Sequence, residues 1–224
     1  LLGTCLHSKM KLCDWENLGE GVNILEAEVS SLKKVTTPFA ALSLIDNPKL
    51  HLQAAQTYGN SKFASNHLLG PIPKKAPKDR IRIGYFSADF HNHATSYSMA
   101  ELFEAHDRLK FEIYGFSFGP NTQDEMRNRL SKGFDKFLDV SKLPDSEIAQ
   151  LSRDLEIDIA IDLKGYTEDS RTEIFAYRCA PIQVNYLGYP GTMGVNYMDY
   201  VIADPVVISE SNVDSFAEKI VTAP

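Results

Sequence analysis

From Ile81 onward the chain alternates short apolar runs with stretches of helical spacing, and this alternation limits the possible folds more than any other feature. Ile81, Ile83 and Tyr85 alternate with Arg82 and Gly84 before Phe86-Ser87-Ala88 close the run, which is a strand pattern followed by a turn signal. The spacing of Met99, Leu102, Phe103 and His106 predicts a helix over 96–109, followed by a strand over 111–118 and a short charged helix over 124–132. Further along, the sequence predicts strands over 134–140, 157–163, 182–187 and 200–203. Between these lie a helix over 145–154, capped by Ser141 or Asp145, a helix around 172–177 and a Gly/Pro turn over 188–194. Strands alternating with helices predict crossover connections and a parallel sheet covered on both faces, that is, an α/β Rossmann-like fold.

Residues 1–70 follow a different pattern. Leu2, Cys5, Leu6 and Met10 form one apolar stripe at helical intervals, and Val22, Leu25 and Val29 form another. Asn47-Pro48 reads as a capped helix start, with Leu52, Ala55 and Tyr58 turned to a partner surface. No repeat period is evident, although stacked short helices would suit the end of a helical repeat array. Residues 70–80 carry three prolines and five charged side chains without periodicity. Lys74, Lys75 and Lys78 there suit a phosphate or nucleic-acid patch, but the plainer reading is a solvated connector. The expected organisation is a helical segment over 1–70, a linker over 71–80 and an α/β lobe over 81–224.

Composition narrows the function. Residues 81–224 hold thirteen Lys/Arg against twenty-three Asp/Glu, and an acidic lobe argues against general nucleic-acid binding, which needs a basic surface. Three scattered cysteines, Cys5, Cys13 and Cys179, form neither a disulfide framework nor a Cys₄ metal site and point to a reducing, cytoplasmic compartment. The apolar run over 39–45 is far shorter than the roughly 18 residues of a membrane span. Leu1 is not an initiator and no signal peptide follows it, so the chain is expected to be excised from a longer one.

Three loops follow predicted strand ends: 89–96, 164–168 and 188–194. In a parallel sheet all three emerge on the edge where ligands bind. His93 is the side chain in them best suited to accept a proton near neutral pH. Asp89, four residues earlier, could orient an imidazole. His91 and His93 could also pair on a metal, although zinc calls for three or four ligands and no further His/Cys cluster is visible. Gly165-Tyr166-Thr167 and Gly188-Tyr-Pro-Gly-Thr192 supply backbone N–H groups and hydroxyls that suit a sugar or phosphate, and such sequences also serve as ordinary turns. No Gly-x-Gly-x-x-Gly follows the first strand and no Walker loop appears, which disfavours a dinucleotide-dependent oxidoreductase or an ATPase.

The segments 81–96, Asp162-Leu-Lys-Gly-Tyr-Thr167, 175–192 with its Pro190-Gly191-Thr192, and Met198-Asp-Tyr200 together resemble, in order and spacing, the amino-terminal catalytic half of O-GlcNAc transferases. The bacterial branch with helical (TPR) repeats ahead of the catalytic region is most similar. Leu12-Cys-Asp-Trp15 and Thr36-Thr-Pro-Phe39 resemble the segment that joins those repeats to it. The chain departs from the family pattern at Ala94 and Tyr97, where members often carry Pro and His.

The resemblance implies the first lobe of a two-lobed GT-B glycosyltransferase. That enzyme would be inverting and metal-independent, moving N-acetylglucosamine from UDP-GlcNAc to Ser or Thr of a protein. It implies His93 as the base that takes the acceptor hydroxyl's proton, with Asp89, Asn92, Thr95, Gly165, Tyr166, Thr167, Pro190, Gly191 and Thr192 around the substrate. No cofactor is expected, and neither nucleic acid nor membrane is an expected partner. The uridine diphosphate site belongs mostly to a second lobe, so these residues alone are expected to supply the acceptor-facing half and to be inactive. The competing expectation is a non-catalytic protein-interaction module of a repeat-containing protein.

Overall fold

The computed structural model describes residues 1–74, 76 and 78–223. Lys75, which the sequence places in the linker patch, lies outside them. The chain forms two compact units, one of residues 1–64, 190–196 and 201–224 and the other of residues 65–189 and 197–200.

The first unit opens with four helices, α1 (Leu2–Lys11), α2 (Leu18–Ser30), α3 (Pro38–Leu44) and α4 (Pro48–Lys62). Leu6, Leu25, Val29, Ala41, Ile45, Leu50 and Ala54 make their shared core. The stripe over α1 differs from its sequence reading: Leu6 is buried but Cys5 is exposed. One buried residue per turn and a half suffices because Gly3 and Gly21 let neighbouring elements approach α1, with the Leu6 side chain seated against Gly21. Asn47 caps α4 as expected, its Oδ1 accepting from Lys49 and Leu50 N–H, with Pro48 at the first helical position. The unit also contains a 3₁₀ turn (Glu210–Ser215) that the sequence did not suggest.

The second unit holds β1 (Ile81–Ser87), α5 (Ala94–Ala105), β2 (Phe111–Ser117), α6 (Glu125–Gly133), β3 (Lys136–Asp139), α7 (Asp145–Asp154), β4 (Ile159–Asp162), α8 (Glu173–Ala176) and β5 (Ile182–Tyr186). The strands run in the order β3-β2-β1-β4-β5, every neighbouring pair parallel. This is the Rossmann arrangement expected from the alternation. Near-continuous burial along β1 and β2 fits a sheet without a wet face. Phe86 and Phe116 stack at 4.3 Å on adjacent strands, and Phe175 of α8 packs edge-on against Phe86 at 5.3 Å. Two further strands, β6 (Tyr200–Ala203) and β7 (Lys219–Thr222), are neighbours of each other.

The expected cap of α7 is not made. Its N-cap is Pro144, without a side-chain bond. Ser141 instead donates to Asp139, and Asp145 takes the Arg171 guanidinium. A neighbour two residues back holds Ser141, and a tertiary partner 26 residues on holds Asp145.

Candidate functional site

In the order β3-β2-β1-β4-β5 the chain leaves the sheet centre in opposite directions from β1 and from β4, so the loops after these two strands diverge over opposite faces and leave a crevice between them. Phe86 of β1 pairs with Asp162 of β4 in register, which places the residues after each side by side. The first loop contributes Asp89 and the second Lys164, and the two meet there. Lys164 Nζ donates to Asp89 Oδ1 at 3.0 Å and Oδ2 at 2.9 Å. The two side chains are only 7% and 9% exposed, so this is a buried pair whose charges compensate each other.

Around that pair the first loop is tightly wound. Ser87 Oγ accepts the Asp89 N–H, and the Asp89 carbonyl accepts from Ser96 Oγ at 2.5 Å and from the His91 N–H. His93 ends the loop as the N-cap of α5, and its Nδ1 accepts the Thr95 N–H at 3.2 Å. Helix α5 therefore begins two residues earlier than its apolar spacing suggested, because an imidazole caps it. His93 stands 43% exposed at the crevice with Nδ1 3.6 Å from Asp89 Oδ2. The Thr95 hydroxyl also leans on Asp89 Oδ2, at 3.5 Å. Asn92 is committed elsewhere: its Oδ1 accepts from Tyr97 Oη and from the Met126 N–H, tying the loop to α6. The rings of His91 and His93 lie edge to face, 5.7 Å apart. No group of three or more His, Cys, Asp or Glu side chains suited to a metal ion occurs among the described residues.

The second loop turns on Gly165, at φ +54°. A side chain there would strike Tyr189 Cβ at 2.4 Å, so both the left-handed backbone and the close approach call for glycine. Tyr166 is buried edge-to-face on Tyr189 at 5.6 Å. The Thr167 hydroxyl closes the turn by donating to the Lys164 carbonyl at 2.9 Å. Beneath them Asp162 is fully buried. Its Oδ1 accepts the Lys164 N–H, while Oδ2 has no partner, and burial pushes its carboxyl up to about 6.

The structure thus brings Asp89, Thr95 and His93 together with the 164–167 turn, on two loops of one sheet edge. Pro190, Gly191 and Thr192 belong to the other compact unit. There Pro190 is exposed, while Gly191 and Thr192 are buried, the hydroxyl of Thr192 bonded to Glu218 at 2.7 Å. Sequence reading passed over two residues. Lys164 stands directly behind an apolar strand, a position that signals a buried charge in need of a partner. Arg127 is buried on α6 and donates to the Phe90 carbonyl, Ser117 Oγ and Asp139, so it braces the ends of β2 and β3 and the loop after β1. Nothing local in the sequence marks it.

A groove of about 750 Å³ lies elsewhere, at the amino-terminal ends of β1, β4 and β5, between Ile72, Lys78, Arg153, Ile157 and Cys179. Arg153 and Arg178 there are spent largely on main-chain carbonyls. The chemistry-bearing side chains stand at the opposite ends of the strands.

A parallel sheet whose switch-point loops hold a buried ion pair beside an exposed imidazole defines an α/β domain with its polar groups gathered at that edge. The chain belongs to glycosyl transferase family 41, which its residues 62–224 match. It is similar to the probable UDP-N-acetylglucosamine–peptide N-acetylglucosaminyltransferase SEC of Arabidopsis thaliana, with 34% identity over 98% of this chain and 24% of that protein. It is also similar to the UDP-N-acetylglucosamine–peptide N-acetylglucosaminyltransferase of Caenorhabditis elegans, with 40% identity over 65% of this chain and 13% of that protein. A solved structure of a point mutant of the Thermobaculum terrenum O-GlcNAc transferase superposes with a TM-score of 0.76 and 28% identity, covering 97% of this chain and 42% of that one. The chain therefore spans about a quarter or less of the two enzymes' lengths.

Proposed function

We propose that this chain supplies the first lobe of an inverting glycosyltransferase that moves N-acetylglucosamine from UDP-GlcNAc to Ser or Thr hydroxyls of proteins. The observation that carries this reading is membership of glycosyl transferase family 41 across the residues that build the switch-point crevice. In this reading His93 and Thr95 face the acceptor and the sugar beside the 164–167 turn, while Asp89 and Asn92 hold the loop that presents them. Gly191 and Thr192 hold a loop in shape, and Pro190 is available to a ligand. Inverting transfer needs both the nucleophile activated and the leaving diphosphate stabilised. In this reading a second lobe provides most of the diphosphate site, so residues 1–224 alone bind donor weakly and turn over little. The reaction runs without a metal, in the cytoplasm.

The test is transfer of labelled N-acetylglucosamine from UDP-GlcNAc to a peptide library by the full-length parent protein. Transfer resistant to EDTA is expected, and His93→Ala is expected to lower kcat/KM by about 10²-fold or more. No transfer by the parent protein under any metal or acceptor condition would sink the reading. Unchanged transfer by His93→Ala would remove His93 from the chemistry.

A further inference from the structure

The switch-point cluster gives the His93 ring two mutually exclusive arrangements. In the first, Nδ1 is bare and accepts the Thr95 N–H, as it does at 3.2 Å, and the ring proton sits on Nε2. In the second, Nδ1 carries the proton and turns it toward Asp89 Oδ2, leaving Nε2 bare. The second is the way a carboxylate commonly prepares an imidazole to act as a base. Here the Nδ1 to Oδ2 separation is 3.6 Å, outside hydrogen-bonding range. Asp89 is also occupied. Lys164 Nζ bonds both of its oxygens, and the Thr95 hydroxyl leans on one of them. A carboxylate neutralised by a buried ammonium at 3 Å has little field left to draw a proton to Nδ1. The His91 ring also faces it, edge-on at 5.7 Å.

We propose that Lys164 is a positioning residue for His93: by holding Asp89 in a buried ion pair, it keeps the ring proton on Nε2, so that His93 offers an N–H donor to an oxygen of the bound substrate. The inference rests on the reading of His93 as a substrate-facing group and deepens it. In this form Nε2 has no lone pair for the acceptor hydroxyl's proton. Its N–H instead meets an oxygen that gains negative charge during transfer, where a fixed donor has most effect. The lysine, rather than the aspartate next to the histidine, then decides which of the two jobs the imidazole does. Asp89 is the relay, too far from Nδ1 to bond it and close enough to attract its proton once the ammonium is gone.

The position of the ring proton is read directly, without any transfer assay, from long-range ¹H–¹⁵N correlations of His93 in the ¹⁵N-labelled 224-residue chain. Failure of the glycosyltransferase reading therefore leaves this result standing, and the reverse holds too. The wild type is expected to show a pyridine-type Nδ1 and a pyrrole-type Nε2. Lys164→Met removes the ammonium at similar length and is expected to move the proton to Nδ1 in most of the population. Lys164→Arg, which keeps a cation on Asp89, is expected to restore the wild-type pattern. A wild-type ring protonated on Nδ1 overturns the proposal, as does a folded Lys164→Met chain with the wild-type pattern. Should Lys164→Met not fold, Lys164→Gln carries the same expectation, and a folded Lys164→Gln chain with the wild-type pattern overturns the proposal.

Discussion

Glu218 accepts hydrogen bonds from the Thr192 hydroxyl at 2.7 Å and from the Met193 N–H at 2.6 Å, one on each carboxylate oxygen. The Thr192 oxygen in turn accepts the N–H groups of Gly194 and Ala217, both at 3.1 Å. Glu218 is 5% exposed. The threonine of the Pro-Gly-Thr segment is thus the hub of a buried network. Glu218→Gln supplies one acceptor oxygen where two donors wait, so it should cost about 1–3 kcal/mol. Thr192→Val should cost at least as much, and the double variant should cost clearly less than the two single costs combined, because both break one network. Urea midpoints of the four proteins check this, and strictly additive losses would contradict the shared hub.

Asp162 supplies a pH dependence of stability. Its folded pKa is about 6, above the ordinary 3.8, because burial penalises the anion more than the Lys164 and Gly165 N–H groups relieve it. The folded state therefore holds a proton that the unfolded chain has already released. This contribution to stability is fully present below about pH 3.8 and is lost as pH rises to about 6. The loss at neutral pH is on the order of 3 kcal/mol. Asp162→Asn keeps an acceptor for the Lys164 N–H and removes the charge. Its unfolding free energy should be flatter between these pH values and higher than wild type at pH 7. A less stable variant at pH 7 with an unchanged slope would assign the pH dependence to another group.

Arg153 of α7 ties the proline-rich segment to its own unit. It donates to the Leu69 and Gly70 carbonyls and to those of Tyr177 and Arg178, at 2.8 to 3.0 Å. The far end is held by Lys78, which bonds the Glu156 carbonyl at 2.6 Å and pairs with Asp158 at 2.8 Å. Arg153→Leu leaves four carbonyls with one partner fewer and should release the segment. Limited trypsin digestion should then cut after Lys74 several-fold faster than in wild type, while the urea midpoint falls by about 1–3 kcal/mol equivalent. Equal cleavage rates would show that Lys78 holds the segment by itself.

Several features were legible in the residue order alone. Alternating apolar runs prescribed a parallel sheet, because a strand buried on both faces has to be apolar throughout and its parallel neighbour has to be reached by a crossover. The helix over 145–154 and the strand over 200–203 were placed to the residue, as was the Asn47-Pro48 start of α4, because caps and periodicity are short-range. The switch-point loop was likewise marked by Asp89 and His93 at the end of an apolar strand. Membership of glycosyl transferase family 41 agrees with the motifs quoted from the sequence.

Tertiary structure decided the partners. That Asp89 faces Lys164, 75 residues away, depends on the β1–β4 register, and that Glu218 seats Thr192 depends on packing that joins residues 26 positions apart. The missed cap of α7 has the same cause, since Asp145 could reach either its own helix or Arg171, and burial favoured the charged partner. The tautomer of His93 rests on the Thr95 N–H and on a lysine from another loop. A sequence states which groups carry protons and charge. Which lone pair is free at the site is settled by long-range packing, because a hydrogen bond acts over about 3 Å and the residues that meet there are separated by scores of positions.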